Sequence, residues 1–437
     1  MPNSFFKTAL ARNTAWMIGG QGLRLVIQAV YFIEIARSLG VRNYGAFVGV
    51  VALVGIVYPF ASLGSGNLLI KNVSRDKSLF SAYWGRALVF TAFCGAFLLF
   101  AVCVLARLVL PPEIPTLLVV SVSAADIFGL NLITVSAQAF QAIERLGWTA
   151  AIYVVMTGGR LAGALILIAI RPHPSALLWS YLYFGSTAVI AIVTVVLVCW
   201  KIGLPKISWP NARGATHEGF YFAASQTAQT VYNDIDKTML ARLSTLEATG
   251  IYGAAYRIID VSFVPVSALL WSSYPSFFRA GARGISSSLA YARPLLFRAL
   301  AYAGLVCAGL LLGAGIVPHI LGEQYRQTAE ALRWLSVLPL LKAVHYFLSD
   351  TLTGAGYQSV RTSLQAGVAV FNVLLNLWVI PAYSWRGAAW SSIASDVALV
   401  LGVAIAVSVL HSRSRSAVAS AVPQAQCGWA TGGRNVS

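Results

Sequence analysis

Charge is what this sequence has least of: Asp, Glu, Lys and Arg make up 10% of its 437 residues, against about 25% in a typical soluble domain. That scarcity excludes an ordinary soluble enzyme. Acids are rarer still, 14 against 31 Lys and Arg, for a formal net charge of +17. Of the five cysteines, Cys94, Cys103, Cys199 and Cys307 sit in apolar runs and Cys427 lies in the tail. With no CxxC and no Cys/His cluster, neither a metal site nor a disulfide framework is expected. The patterns G-x-S-x-G, H-E-x-x-H and Walker A are missing as well, so neither hydrolysis nor nucleotide-driven transport is written in the chain and no cofactor is called for. Energy for any transport then comes from an ion gradient or from the substrate itself. The basic residues lie in short segments between apolar runs and form no stripe with interleaved aromatics, which argues against a nucleic-acid partner.

What is present is hydrophobic sequence, 58% of the chain, in runs of membrane-spanning length closed by short polar or Pro/Gly-containing stretches. The spans read as 14–36, 44–69, 86–110, 114–140, 148–170, 175–200, 219–241, 249–275, 294–320, 328–352, 361–381 and 387–410. The basic start, MPNSFFKTALARN, precedes a long, polar-studded segment without a convincing cleavage site, so it reads as leading into the first span and not as a signal peptide. The longest internal loops are 201–218 and 276–293, both basic, and the Ser/Ala/Gly-rich residues 412–437 read as a disordered cytoplasmic tail.

Lys and Arg test that layout. Alternate segments, counted from the N-terminus, hold eighteen of them, including Lys71, Arg75, Lys77 and Arg86; the opposite face holds eight, namely Arg37, Arg42, Arg107, Arg171, Arg242, Arg326, Arg333 and Arg386. The positive-inside rule then places both termini in the cytoplasm, as an even number of spans requires.

The chain also repeats. An offset of 205 residues puts Gln21 on Gln226, Arg24 on Gln229, Gln28 on Asn233 and Ala36-Arg37 on Ala241-Arg242; after a three-residue length difference, Tyr44-Gly45-Ala46 falls on Tyr252-Gly253-Ala254. Pro59 and Pro265 follow in the second helix of each half. Six helices separate the copies, which preserves orientation and relates the halves by an axis along the membrane normal. The expected fold is an all-α integral membrane protein of about twelve transmembrane helices in two six-helix lobes, residues 1–205 and 206–411.

Polar residues inside spans are costly and mark function. Gln21, Arg24 and Gln28 share one narrow face of the first helix, and Gln226, Gln229 and Asn233 repeat it on the seventh. No acid lies three or four residues from Arg24, so its partner must be on another helix or be a ligand. Asp234, Asp236 and Lys237 follow in YNDIDKTML, then Arg257 and Asp260, three apart and able to pair along the eighth helix. These charges read either as ion-coupling groups or as pairs that hold helices in register. Asp126, Arg160, Lys342, His345 and Asp396 are further candidates; Asp126 and Asp396 could bind a proton or sodium, or bond a neighbouring helix. Gly158, Gly159 and Gly163 read as close helix packing.

Residues 35–76, IARSLGVRNYGAFVGVVALVGIVYPFASLGSGNLLIKNVSRD, carry Ala36, Arg37, Leu39, Gly40, Tyr44, Gly45, Phe47, Leu63, Gly64 and Arg75. In these positions the chain resembles the Wzx-type polysaccharide flippases of the multidrug/oligosaccharidyl-lipid/polysaccharide (MOP) superfamily, and residues 232–260 resemble the seventh and eighth helices of that family. The resemblance implies movement of a lipid-linked, undecaprenyl-pyrophosphate-type oligosaccharide from the cytoplasmic to the outer leaflet of the inner membrane. It also implies a cation-rich cavity between the lobes, with Arg24 and Arg257 in the matching helices. Implied partners are that lipid-linked sugar, membrane lipids and other glycan-assembly membrane proteins. In such a cavity Arg24 would grip the pyrophosphate, Gln21, Gln28, Gln229 and Asn233 the sugar hydroxyls, and Tyr31, Tyr232 and Tyr256 would stack on sugar rings. The alternative on the same fold is a multidrug-type cation antiporter, which would use Asp234, Asp236 and Asp260. A glycan polymerase or ligase would need a large outward loop, and none is written.

Overall fold

The computed structural model describes residues 3–170, 174–207 and 212–421, and among them regular structure is helical throughout. Twelve helical segments follow the expected order: α1 (3–39), α2 (41–73, interrupted at 58–64), α3 (80–109), α4 (116–142), α5 (146–170), α6 (176–201), α7 (212–243), α8 (246–281), α9 (285–321), α10 (326–354, broken at 336–337), α11 (358–383) and α12 (385–421). Among the described residues, eight stretches are long and apolar enough to cross a membrane, and two of these, Gly19–Phe60 and Gln358–Ser414, each hold two helices. Helices α7 and α10 fall outside that set: α7 carries Asp234, Asp236 and Lys237, and α10 is broken into pieces of 10 and 17 residues.

Local chemistry explains the breaks. Gly40 takes φ 72°, a left-handed conformation open to glycine, and ends α1. Pro59 lies in the 3-10 turn that interrupts α2. Ser175 caps α6 by accepting from the Leu178 amide at 3.2 Å. Asp76 accepts from both the hydroxyl and the amide of Ser78, which hold its carboxyl below the usual range and fix the turn into α3.

Several boundaries differ from those read in the sequence. Helix α3 starts at Phe80, so Arg86 is not in a loop but on the helix, 2% exposed and stacked over Phe90 at 5.2 Å. The expected loop 276–293 is mostly helix, because α8 runs to Gly281 and α9 begins at Ile285; both helices outlast their apolar stretch. Likewise α12 continues to Ala421, into the segment read as a disordered tail, while Cys427 lies outside the described residues.

The chain forms two compact units by packing. The first comprises Met1–Arg257, Ala314–Ala331 and Val373–Ala389; the second comprises Ile258–Gly313, Leu332–Asn372 and Trp390–Ser437. Trp84, Phe140, Met156, Ile190 and Val198 belong to the core of the first, and Phe263, Phe277, Ala299 and Phe347 to that of the second. Phe93, Phe97 and Phe100 stand exposed along α3, an outward apolar stripe suited to lipid.

Since lipid removes the hydrophobic drive between helices, close backbone approach at small residues becomes the main source of packing energy. A Cβ on Gly45 would lie 1.8 Å from the Leu246 carbonyl oxygen, and one on Gly250 would lie 2.0 Å from that of Val41. Gly253 meets the Val48 side chain, so each Tyr-Gly-Ala motif sets a glycine against the facing helix, Gly45 against α8 and Gly253 against α2. Of the three glycines read as a packing face, Gly159 meets Ile190 and Gly163 lies near Ser186, but Gly158 faces open space.

Candidate functional site

The polar residues of the first unit converge where α1, α4, α5 and α6 meet. Helix α1 lies so close to α5 that a Cβ on Gly20 would sit 2.8 Å from Ala150 Cβ. One turn further along α1, this approach puts the Arg24 guanidinium carbon 5.0 Å from the centre of the Tyr153 ring, a cation–π contact. The Arg24 Nε is buried without a hydrogen-bond partner. Arg160, two turns beyond Tyr153 on α5, lies 4.5 Å over the Tyr183 ring and 3.4 Å from Asp126 Oδ1. Its Nε is likewise buried without a partner. The Tyr183 hydroxyl donates to Asp126 at 2.7 Å.

Arg257 completes the group. Both Arg160 and Arg257 lie within electrostatic reach of Arg24, and the Tyr31 hydroxyl lies within reach of Arg160, Arg257 and Asp126. Tyr31 packs 5.9 Å from Trp179, and Tyr58 donates to Thr134 at 3.1 Å. Arg24 thus stands within electrostatic reach of two further guanidinium groups, and Asp126 with Tyr183 faces one of them, Arg160. Unsatisfied buried donors of this kind call for a ligand or water, and planar guanidinium forks suit phosphate oxygens.

Other expected site residues lie differently. Gln21 and Gln28 are half-buried on the Arg24 helix, Asn233 is half-buried and Gln229 exposed on α7. The Asn233 amide donates to the Gln229 carbonyl of its own helix at 3.0 Å. Asp234 pairs with Lys237, Asp236 accepts from the Tyr252 hydroxyl, and the Lys237 ammonium sits 4.3 Å over Tyr256. Through Asp236 and Lys237 these groups link α7 to α8, and Tyr256, expected to stack on sugar, lies under Lys237 with its ring tilted against that of Tyr252.

In the second unit, Asp260 takes Lys342 as its partner at 3.8 Å, in place of the along-helix partner read for it, because α10 brings an ammonium across to α8. His345 Nε2 lies 3.6 Å from Asp396 Oδ1, both buried, and Arg361 bonds Asp350 at 3.0 Å. Among the described residues no three His, Cys, Asp or Glu side chains gather as a metal would require.

Sequence reading placed Arg24 and Arg257 in this group but ranked Arg160 lower and missed Tyr153 and Tyr183. An arginine in the apolar run TGGRLAG was the available signal; Asp126 lies 34 residues before it and Tyr183 57 residues after Asp126, so the group leaves no local pattern.

Comparison with known proteins bears on this geometry. Residues 10–280 match the model of a family described as polysaccharide biosynthesis protein. No curated protein matches the chain. Among solved structures, a multidrug resistance MATE family transporter of the MOP superfamily in its inward-facing conformation is similar with a TM-score of 0.72 at 15% identity, over 89% of this chain and 96% of that one. The lipid II flippase MurJ in an inward closed conformation has a TM-score of 0.71 at 10% identity, over 90% and 87%. A MOP superfamily transporter from Pyrococcus furiosus, described as having a binding pocket of reversed polarity, has a TM-score of 0.63 at 16% identity, over 93% and 96%.

Proposed function

Since the chain belongs to the polysaccharide biosynthesis protein family and has the fold of MOP superfamily transporters, we propose that it is a flippase for a lipid-linked oligosaccharide of the undecaprenyl-pyrophosphate type. It carries the headgroup from the cytoplasmic to the outer leaflet of the inner membrane for surface polysaccharide assembly. The observation that carries this reading is the pair Arg24 and Arg160, within electrostatic reach of each other and each keeping a buried Nε without a partner, with Arg257 also in reach of Arg24 and Asp126 set against Arg160. A diphosphate cannot cross hydrocarbon unaided, and these cations offer it a substitute for water. Residues 1–205 and 206–411 are the halves that alternate. A carrier of cationic drugs would instead want an excess of acid here.

Binding of farnesyl pyrophosphate to the full chain in lipid nanodiscs tests the reading. The expected result is binding that the cationic dye ethidium does not displace; displacement by ethidium, or none of the pyrophosphate bound, would count against it. Topology is checked separately. Single cysteines at Lys77 and Glu113, both exposed, should label from opposite sides, Lys77→Cys with the cytoplasm and Glu113→Cys with the outside. Labelling of both from one side would overturn the orientation.

A further inference from the structure

We propose that Asp126 is an internal stand-in for the substrate's anion: it neutralises Arg160 when the site is empty and gives the guanidinium up when a diphosphate arrives. This rests on the flippase reading above and assigns a role that reading does not need.

An arginine cluster that receives an anion faces a difficulty once the anion has left, because unpaired buried charge is strongly destabilising. Asp126 answers it for Arg160. Its Oδ1 lies 3.4 Å from Arg160 Nη2, and the same oxygen accepts from the Tyr183 hydroxyl at 2.7 Å. At 3.4 Å the ion pair is longer than a strong charge-assisted bond, which runs at about 2.7–2.9 Å. The guanidinium is therefore held but not saturated, with its Nε still without a partner. The backbone around Asp126 is unusual too: residues 125–130 form a π-helical segment inside α4. Such segments are less regularly bonded than α-helix and cluster at functional sites. It lets the carboxylate be displaced without unwinding the helix.

The exchange has a consequence for protons. A diphosphate that takes Arg160 leaves Asp126 next to like charge, and a carboxylate there is driven to take up a proton. The groups facing Asp126 are Arg160 from α5, Tyr183 from α6, Tyr31 from α1 and Tyr58 from α2; α3 packs Gly95 against Phe128 of the same segment. Arg160 is the one cation of this set, so its loss to the ligand leaves the carboxylate without compensation. The bound state then holds more protons than the empty one, and by linkage the anion binds more tightly as pH falls.

The test is farnesyl pyrophosphate binding to the full chain in nanodiscs across the range of about pH 5 to 8, compared among variants so that the ligand's own titration cancels. Wild type should gain affinity towards low pH. Asp126→Asn should bind about tenfold more tightly at the high end and lose the protein's share of the pH slope. Tyr183→Phe, which keeps the ring under Arg160 and removes only the hydroxyl, should shift the same way by less. An Asp126→Asn protein with the wild-type slope, or with weaker binding, would overturn the stand-in role while leaving the flippase reading intact. If Asp126→Asn does not fold, Tyr183→Phe decides alone, an unshifted profile counting against the proposal. Failure of the wild type to bind at any pH would sink both.

Discussion

Arg24→Ala should abolish glycan export while its abundance in the membrane stays at the wild-type level. In the empty site this guanidinium has a tyrosine face on one side and two further arginines within electrostatic reach. A group so placed is repelled by its neighbours and stabilised by whatever anion enters. Removing it therefore relieves strain in the empty protein and weakens the occupied one. Hydrogen bonds to charged groups contribute about 1.5–3 kcal/mol, which corresponds to roughly ten- to a hundredfold in affinity. Arg24→Lys should retain part of the activity, because an ammonium keeps the charge but loses the fork that grips two oxygens and the plane that lies on Tyr153. A purely structural role makes the opposite pattern: Arg24→Ala would lower the amount of folded protein, and removing an acidic partner on another helix would restore it. Export normalised to membrane abundance separates the two, and full export by a normally abundant Arg24→Ala protein would remove Arg24 from the site.

Gly45→Val should prevent accumulation of folded protein. The first side-chain carbon would stand 1.8 Å from the Leu246 carbonyl oxygen and 2.7 Å from the Gly250 amide nitrogen. Overpacking costs about 1–3 kcal/mol where side chains can move aside. Here the obstacle is the backbone of α8, so the helices must separate and forfeit the whole α2–α8 contact. Gly158→Ala is the matched control, since nothing lies within 4 Å of its Cβ position; its abundance should equal wild type. Quantifying detergent-extracted monomer by size-exclusion chromatography checks both, and a normally abundant Gly45→Val protein would show that α2 and α8 do not pack as described.

These residues also show what the sequence could and could not tell. Hydropathy located the helices because each span must be apolar wherever it meets lipid, and the break at Gly40 was readable as a gap between two apolar runs. The positive-inside count survives the move of Arg86 into α3, because one residue does not reverse the asymmetry. The repeated Tyr-Gly-Ala motif was readable from the sequence, and each copy sets its glycine against the other's helix. What spacing cannot supply is the identity of a partner on another helix. Tyr153 under Arg24, the Asp126–Arg160–Tyr183 group and the Lys342–Asp260 pair all depend on how helices are brought side by side, and no residue announces that locally. The π-helical segment at 125–130 was equally hidden, for its composition is that of any apolar turn.

Leaflet sidedness of the lipid-linked sugar is the most direct measure of the central claim. In spheroplasts depleted of this protein, newly made lipid-linked oligosaccharide should accumulate with its sugar inaccessible to membrane-impermeant periodate. Re-expression of the wild type should make it accessible, and re-expression of Arg24→Ala should not. Sugar that remains accessible after depletion, with the protein gone and no other change in the membrane, would contradict the account.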